Sequence, residues 1–306
     1  MITVVGSLNM DLIVRVPRFP EPGEAIHGED LQTACGGKGA NQAFAVARMG
    51  HPAFMLGCVG QDGFGEAMLA NLRAVGVDTT GVLRRAGVPS GTALILVHDV
   101  SGQNEIVVAS GANRTLTADD VQAAADVLRR SDAVIAQLET TLPATRAALM
   151  LARAAGRLSV LNPAPFAPLD DALLALCDYL VPNENEAARL VGSEVNDVPS
   201  AARAAETLRA RGARNVLITL GAAGVWVDAE GWRGHVPAFP VKAVDTVAAG
   251  DTFIGAFVTR LVEGAALHEA VRFGCAAAAI AVTRPGAQPS IPDRQEVEAF
   301  LSAQRK

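Results

Sequence analysis

The sequence predicts an α/β protein: a doubly wound, mostly parallel sheet with helices on both faces, plus a small β-sheet lid. Two observations predict the main sheet. From residue 115 onward, short apolar runs alternate with Ala-rich helical patterns, which is typical of parallel sheets. Half of the 306 residues are hydrophobic and 19% are charged, so one large core can form. A third observation predicts the lid, because residues 10–37 and 90–113 contain strand and turn patterns without a helix.

The elements of the main sheet follow in chain order, within one domain that we expect to span residues 1–306. The first strand is "ITVVGS", closed by Gly6, and a capping-box-like pair, Thr117 and Asp120, begins a later helix. The lid is expected to be an antiparallel sheet at one edge. The other predicted strands are 53–60, 133–139, 158–165, 179–184 and 215–221, and the helices are 37–50, 64–76, 118–131, 144–156, 200–212, 249–263, 267–283 and 292–303.

Charge and hydropathy exclude several classes of protein. The formal net charge is −6 and no basic cluster stands out, which argues against nucleic acid as a partner. The first residues contain no pattern of a signal peptide, and no apolar run approaches the ~20 residues of a membrane span. The sequence therefore predicts a cytoplasmic protein with no membrane partner. Its four cysteines lack zinc-ligand spacing and are expected to be small buried apolar residues.

The stretch "DTVAAGDTF" predicts an anion site at the start of a helix. Asp251 comes where the helix begins, directly after Ala248, Ala249 and Gly250. A helix N-terminus presents unpaired N–H groups, and small residues let an anion approach them. Next to a phosphate, Asp251 could accept the proton of an attacking hydroxyl group. The alternative is that Asp251 is only a first-turn acidic residue favoured by the helix dipole.

The stretch "GGKGANQA" and the end of the first strand indicate a site for a polyhydroxylated ligand. The spacing fits neither a phosphate-binding P-loop nor a dinucleotide fingerprint. Gly37 would allow close approach, and Lys38 and Asn41 could donate hydrogen bonds to a ligand. Asn9 and Asp11 follow the first strand and could contribute both donors and acceptors. Each of these residues could instead serve in a turn or a cap.

Three further features lie where predicted strands end. Asn183 and Glu186 in "PNENEA" could hold a hydrated Mg²⁺ ion and phosphate oxygens, or could simply cap a helix. Glu139 places a charge at the end of "AVIAQLE". A glycine-flanked turn could lie against a nucleotide, although its pattern alone is weak; it consists of Thr219, Leu220, Gly221, Ala222, Ala223 and Gly224.

Taken together, these stretches resemble the ribokinase family of sugar and nucleoside kinases. The similarity covers almost the whole chain, and "GGKGAN" and "DTVAAGDTF" are its specific motifs; the others, in order, are "GSLNMD", "QLE", "LNPAP", "PNENEA", "LITLGAAGV" and "AVTRPGAQPS". Two departures are Ile254, where many members have Asn, and Cys275, where a His or Asn often lines the adenine site.

The resemblance implies a role for each matching residue. Asp251 matches the catalytic base, and Ala248, Ala249 and Gly250 match the anion hole. The sugar-binding positions are Asn9, Asp11, Gly37, Lys38, Asn41, Glu139 and Asp251. The nucleotide and magnesium positions are Asn183, Glu186, Thr219 to Gly224, Gly250 and Cys275. The positions of a potassium site, formed largely by carbonyl groups, are Asp245, Val247, Ala281, Arg284, Gly286 and Ser290.

The implied activity is ATP-dependent phosphorylation of D-ribose at its 5-hydroxyl, giving D-ribose 5-phosphate and ADP. Mg²⁺ would accompany ATP, K⁺ would activate the enzyme, and the lid would form a homodimer. The alternative is another sugar or nucleoside kinase of the same family. Only 4% of the residues are aromatic and none lies in "GSLNMD" or "GGKGAN", which disfavours a nucleoside that would need stacking. A non-catalytic sugar sensor should lack the base or the preceding glycine, whereas this chain contains both. A dinucleotide-dependent dehydrogenase should contain the glycine fingerprint, which this chain lacks.

Overall fold

The structure is a computed structural model that describes residues 1–100 and 103–304. Within these residues the chain forms thirteen strands and eleven α-helices. The strands are β1 Ile2–Val5, β2 Asn9–Val16, β3 Gln32–Gly36, β4 Ala53–Gly60, β5 Asp78–Arg85, β6 Gly91–His98, β7 Asn104–Ala109, β8 Ala133–Ala136, β9 Leu158–Leu161, β10 Tyr179–Leu180, β11 Asn215–Thr219, β12 Val225–Ala229 and β13 Trp232–Val236. The helices are α1 Lys38–Arg48, α2 Gly63–Ala74, α3 Ala118–Ala123, α4 Ala125–Arg130, α5 Leu142–Ala154, α6 Asp171–Leu174, α7 Glu184–Val191, α8 Val198–Ala210, α9 Ala249–Val262, α10 Leu267–Ala281 and α11 Arg294–Ala303.

The main sheet confirms the predicted doubly wound, mostly parallel architecture. In the described part of the chain its order is β13-β12-β11-β10-β9-β8-β1-β4-β5. All pairs from β11 to β5 are parallel, whereas β12 and β13 are antiparallel additions at one edge. The strand order reverses at β1, which pairs with β4 on one side and β8 on the other. Ligands of such sheets bind at the carboxyl ends of the strands beside this reversal.

The second sheet joins the two segments that lacked helices, in the order β3-β2-β6-β7. Its outer pairs are antiparallel, but the central pair of β2 with β6 is parallel, with Asn9 opposite Gly91. The expectation of a wholly antiparallel sheet was therefore wrong. The reason is that β2 follows β1 and β6 follows β5 in the chain, and β1 and β5 run in the same direction within the main sheet. The chain therefore leaves the same edge of the main sheet both times, and β2 and β6 run in the same direction.

Other differences from the predicted elements are local. The predicted helix 118–131 is interrupted at Ala124, whose φ of −93° and ψ of 10° are not helical, although its capping box at Thr117 and Asp120 is confirmed. The predicted strand 179–184 pairs only over Tyr179–Leu180, because Pro182 has no N–H for a ladder. A single bridge between Asn183 and Thr219 extends this alignment.

Helices α1 and α9 pack closely, and this contact sets the geometry of the site. A Cβ atom at Gly255 would lie 2.5 Å from the Cβ of Ala45 on α1, so only glycine allows this approach. Phe257, two residues further along α9, is fully buried in the core. Asp251 lies one turn before Gly255 and is therefore held against the first turn of α1.

The cysteines are the small, mostly buried residues that the sequence predicts. Cys58, Cys177 and Cys275 are buried and Cys35 is half-buried, and all four are free thiols. Among the described residues, no helix combines the length and the apolar character that crossing a bilayer requires.

Candidate active site

A cleft of about 360 Å³ lies at the carboxyl edge of the main sheet, beneath the small sheet. From the small sheet, Asn9 and Asp11 contribute polar groups, and Ala93, Ile95, Ile106 and Val108 contribute apolar ones. The main domain contributes Gly37, Lys38, Asn41, Glu139, Asn162, Ala164, Val181, Asn183, Glu186, Thr219, Thr246, Val247, Ala248, Gly250, Asp251 and Ile254. The cleft thus collects residues from stretches far apart in the chain.

Asp251 lies in the first turn of α9 with both carboxylate oxygens held by side-chain amides. Asn41 Nδ2 donates to Oδ2 at 3.0 Å, and Gln42 Nε2 donates to Oδ1 at 2.9 Å. Asp251 is 7% exposed and faces the cleft. A buried, ionisable acceptor at a helix N-terminus can remove a proton from a hydroxyl group placed beside it.

The backbone before Asp251 is shaped as an anion site would require. Ala248, the N-cap of α9, has φ 59°, and it is the one non-glycine residue with positive φ in the described chain. Such a conformation costs about 1–2 kcal/mol for alanine. A Cβ atom at Gly250 would meet nothing within 4 Å, so open space lies beside this backbone. The N–H of Ala249 instead contacts the carbonyl of Thr246 at 3.3 Å, and Ala249 does not line the cleft.

The residues predicted to bind a sugar are held in place by contacts behind the cleft. Asn113 Nδ2 donates to Asn9 Oδ1 at 2.8 Å, so the amino group of Asn9 is left to donate into the cleft. Glu139 Oε2 accepts from the backbone N–H of Lys38 at 3.0 Å and from the hydroxyl of Ser7. Gly37 has φ 90°, and a Cβ there would lie 2.6 Å from the nitrogen of Asn9, so this position requires glycine.

Four carboxyl groups and one ammonium group give the cleft its electrostatics. Burial, together with the charges of Glu139 and Asp251, raises the pKa of Asp11 from 3.8 to about 7. Burial disfavours the ammonium of Lys38, but Asp251, Glu139 and Glu186 outweigh it and raise its pKa. The site therefore contains the Lys38 ammonium group together with hydrogen-bond donors and acceptors, as vicinal hydroxyls require.

Asn183 and Glu186 form a capping box at the start of α7 and also line the cleft. Asn183 Oδ1 accepts from the Glu186 N–H at 2.8 Å, and Glu186 Oε2 accepts from the Asn183 N–H at 2.9 Å. The capping interpretation is thus correct, and the capping box uses only one of the two carboxylate oxygens of Glu186. Burial raises the pKa of Glu186. Oxygen donors of this kind are those that Mg²⁺ prefers.

The turn from Thr219 to Gly224 adjoins the capping box, because Thr219 N–H donates to the Pro182 carbonyl at 3.0 Å. Of its six residues, only Thr219 lines the cleft. Gly224 has φ 101°, and a Cβ there would lie 2.2 Å from the Val236 carbonyl oxygen. Cys275 lies on α10 outside the lining, where burial raises the pKa of its thiol to about 12.

The residues proposed for a monovalent cation lie on two segments that touch. Asp245 accepts from the Val247 N–H through Oδ1 and from the Gly286 N–H through Oδ2, each at 2.9 Å. The Ala281 carbonyl accepts from the Arg284 N–H at 3.0 Å, and the Ser290 hydroxyl donates to the Ala287 carbonyl. Of these positions only Val247 lines the cleft. The arrangement offers carbonyl, hydroxyl and carboxylate oxygens, which suit a weakly hydrated cation.

Sequence reasoning missed several residues that complete the site. Gln42 follows Asn41 directly and contacts Asp251, and Asn113 lies just beyond the last strand of the small sheet. Ile106 and Val108 bring apolar surface over the cleft. The signal for Gln42 was its place in the quoted stretch "GGKGANQA", whereas nothing local distinguishes Asn113.

A buried carboxylate at a helix N-terminus, above a polar cleft at the reversal of a parallel sheet, suits a phosphotransferase acting on a hydroxyl group. The model of the pfkB family of carbohydrate kinases matches residues 1–294, and the chain belongs to that family.

Named relatives support the same assignment. The chain is 46% identical over 300 residues to a ribokinase of Haemophilus influenzae, covering 98% of each chain. It is 36% identical over 302 residues to a deoxyribokinase of Salmonella typhimurium, again covering 98% of each. A solved structure of Arabidopsis thaliana ribokinase complexed with ribose and ATP matches with a TM-score of 0.91 and 32% identity, covering 98% of both chains.

Proposed function

We propose that this carbohydrate kinase is a ribokinase, which transfers the γ-phosphoryl group of ATP to the 5-hydroxyl of D-ribose and releases ADP. The observation that carries the proposal is Asp251, held by two amides at the start of α9 and facing a cleft with sugar-type donors and acceptors. The full-length similarity to the ribokinases of Haemophilus influenzae and Arabidopsis thaliana supports D-ribose and ATP as substrates.

The residues of the cleft divide the work of the reaction. Asn9, Asp11, Gly37, Lys38, Asn41 and Glu139 bind and orient the sugar hydroxyls. Asp251 accepts the proton of the 5-hydroxyl as its oxygen attacks the γ-phosphorus, and the bond to the ADP oxygen breaks. The N–H groups of Ala248 and Gly250 stabilise the charge on the transferring group. The N–H of Ala249, the third predicted position, would have to leave the Thr246 carbonyl in order to contribute.

The nucleotide lies on the side of α7 and the turn from Thr219 to Gly224, with Gly250 near its phosphates and Cys275 near its base. Asn183 and Glu186 would provide the oxygen donors for the hydrated Mg²⁺ that accompanies ATP. The fit rests on Glu186, whose buried carboxylate uses one oxygen in the capping box and keeps the other. When bound, Mg²⁺ neutralises phosphate charge.

A potassium ion is proposed between the two segments joined by Asp245, with Val247, Ala281, Arg284, Gly286 and Ser290 supplying the other oxygens. Because Asp245 already ties Val247 to Gly286, these residues order the loop that leads to Ala248. This cation site would therefore act on the geometry of the anion hole without contacting the sugar.

Residues 10–37 and 90–113 are proposed as the lid of a cytoplasmic homodimer. Alternation along the strands places Asn9 and Asp11 toward the cleft and Leu12, Leu94 and Val107 on the opposite face. Leu94 is 50% and Val107 is 64% exposed. An exposed apolar sheet face is an association hazard unless it is covered, and a second copy in a symmetric dimer would cover it.

Release of ADP from ATP should be measured with D-ribose, 2-deoxy-D-ribose, D-fructose and adenosine as acceptors. We expect D-ribose to be preferred by kcat/KM, because the polar groups of the cleft would be left unpaired by the others. Asp251→Asn should lower kcat by about 10²–10⁴-fold with little change in ATP binding.

The outcomes separate the alternatives. A preference for 2-deoxy-D-ribose would favour the activity named for the Salmonella typhimurium relative, and comparable kcat/KM for adenosine would favour a nucleoside kinase. An Asp251→Asn variant within a few-fold of the parent would refute the assignment of the base.

A further inference from the structure

Two buried carboxamides, those of Gln42 and Gln137, lie behind Asp251 and outside the lining of the cleft. Gln42 Nε2 donates to Asp251 Oδ1 at 2.9 Å and contacts Asn162 Oδ1 at 3.3 Å. Gln42 Oε1 in turn accepts from Gln137 Nε2 at 2.6 Å. Both glutamines are 0% exposed. Neither is among the described residues that line the cleft, so neither reaches a bound sugar or nucleotide.

The contacts of Gln42 allow only one orientation of its amide. Its two N–H groups are used by Asp251 and Asn162, and its oxygen is used by Gln137. A flipped amide would place its oxygen against the Asp251 carboxylate and against Asn162 Oδ1, whose orientation is fixed because Asn162 Nδ2 donates to the Val181 carbonyl. Both contacts would be repulsive and buried, where unpaired polar groups are costly. Gln42 is therefore locked as a donor to Asp251.

Neighbouring backbone makes room for these carboxamides. A Cβ atom at Gly6 would lie 2.0 Å from Gln137 Oε1, so the end of β1 needs glycine where Gln137 lies. The same kind of support exists on the other carboxylate oxygen, because Gln288 Nε2 donates to Asn41 Oδ1 at 3.2 Å. Each oxygen of Asp251 is thus held by an amide that a second amide holds.

We propose that Gln42 is a positioning residue for the general base, acting on Asp251 from outside the substrate cleft, with Gln137 supporting it. The inference rests on the proposed role of Asp251. A carboxylate held at both oxygens keeps one orientation toward the attacking hydroxyl, and small errors in such an orientation lower the rate of reaction. Because Gln42 does not touch substrate, its substitution should lower kcat and leave KM unchanged.

The test is a double-mutant cycle of Gln42→Met, Asp251→Asn and the double variant, with kcat and KM measured for D-ribose and ATP. Methionine keeps the length of the side chain without its hydrogen bonds. We expect Gln42→Met to lower kcat by about 10–100-fold with both KM values within about two-fold. In the Asp251→Asn background, where no base remains to be oriented, Gln42→Met should change the residual kcat by less than about three-fold.

A matched control separates positioning from stability. Asn215 is a buried amide at the other end of the strands, where Nδ2 donates to the Asp178 carbonyl at 2.7 Å. Asn215→Leu should lower Tm and leave kcat unchanged. If Gln42→Met does not fold, Gln137→Met, which keeps the contact between Gln42 and Asp251, should give a smaller loss of kcat.

Three results would overturn the inference. The first is an unchanged kcat in the Gln42→Met variant or, if that variant does not fold, in the Gln137→Met variant. The second is a raised KM at unchanged kcat. The third is an equal loss of kcat on introducing Gln42→Met into the parent and into the Asp251→Asn variant. With Asp251→Asn strongly impaired, any of them leaves the proposed function intact. An Asp251→Asn variant of normal activity would instead remove both the proposed base and the role of Gln42.

Discussion

We expect Asp11 to lower the free energy of unfolding of the ligand-free protein as the pH rises. Its side chain lies on the cleft side of β2, it is 7% exposed, and it is surrounded by the carboxylates of Glu139 and Asp251. Burial and these charges raise its pKa from 3.8 to about 7 in the folded protein. The folded state therefore retains a proton over a pH range in which the unfolded chain has lost it.

The sign of the effect follows from proton linkage. Where the folded state binds more protons than the unfolded state, the free energy of unfolding falls as pH rises. The contribution of Asp11 is fully present below pH 3.8 and is lost as pH rises through about 7. For these two pKa values the linkage relation gives a loss of about 2.5 kcal/mol between about pH 5 and pH 8.

The assay is urea unfolding of the parent and of Asp11→Asn at several pH values across this range. The variant cannot lose this proton, so the difference in unfolding free energy between the two proteins isolates the contribution of the carboxyl group. We expect Asp11→Asn to gain about 2.5 kcal/mol relative to the parent on going from about pH 5 to pH 8. Parallel pH profiles, or a gain in the opposite direction, would refute the assignment of a raised pKa to Asp11.

Three further perturbations test other parts of the molecule. K⁺ should raise activity severalfold over Na⁺ at fixed ionic strength, and Asp245→Ala, which removes the link between Val247 and Gly286, should abolish most of this response; equal rates in both salts would exclude the cation site. Leu94→Asp should give monomers in sedimentation velocity. The same substitution at Met150, which is 53% exposed on α5, should leave the dimer intact. Monomers in the parent would exclude the dimer. Gly255→Ala should cost about 1–3 kcal/mol in urea unfolding and lower kcat, since its Cβ would lie 2.5 Å from that of Ala45; unaltered stability would contradict the close packing of α1 and α9.

The main sheet could be predicted because its signals are local. Each parallel strand is a short apolar run beside a helical pattern, and both recur after residue 115. The antiparallel strands β12 and β13 and the parallel pairing of β2 with β6 gave no such signal. Their partners are decided by where the preceding strands leave the sheet, which is a property of the whole fold.

The candidate site was predictable in its parts and not in its connections. The motifs located Asn9, Asp11, Lys38 and Asp251, and the structure brings all four to one cleft. The sequence suggested that Asn41 donates to a ligand, whereas in the structure its amide donates to Asp251 and is itself held by Gln288. These partners lie more than 200 residues apart in the chain, so no spacing rule could connect them.

The proposed chemistry of Asp251 explains why neutral amides hold both of its carboxylate oxygens. As the proposed base, Asp251 would have to stay oriented and also take up a proton during each turnover. An arginine or lysine in place of Gln42 would hold the oxygen as firmly, but its full positive charge would compete with the incoming proton for the carboxylate. A carboxamide supplies an N–H donor without net charge, and its second N–H lets Asn162 Oδ1 fix its orientation. The close packing of α9 on α1 at Gly255 then places these amides within reach of both carboxylate oxygens.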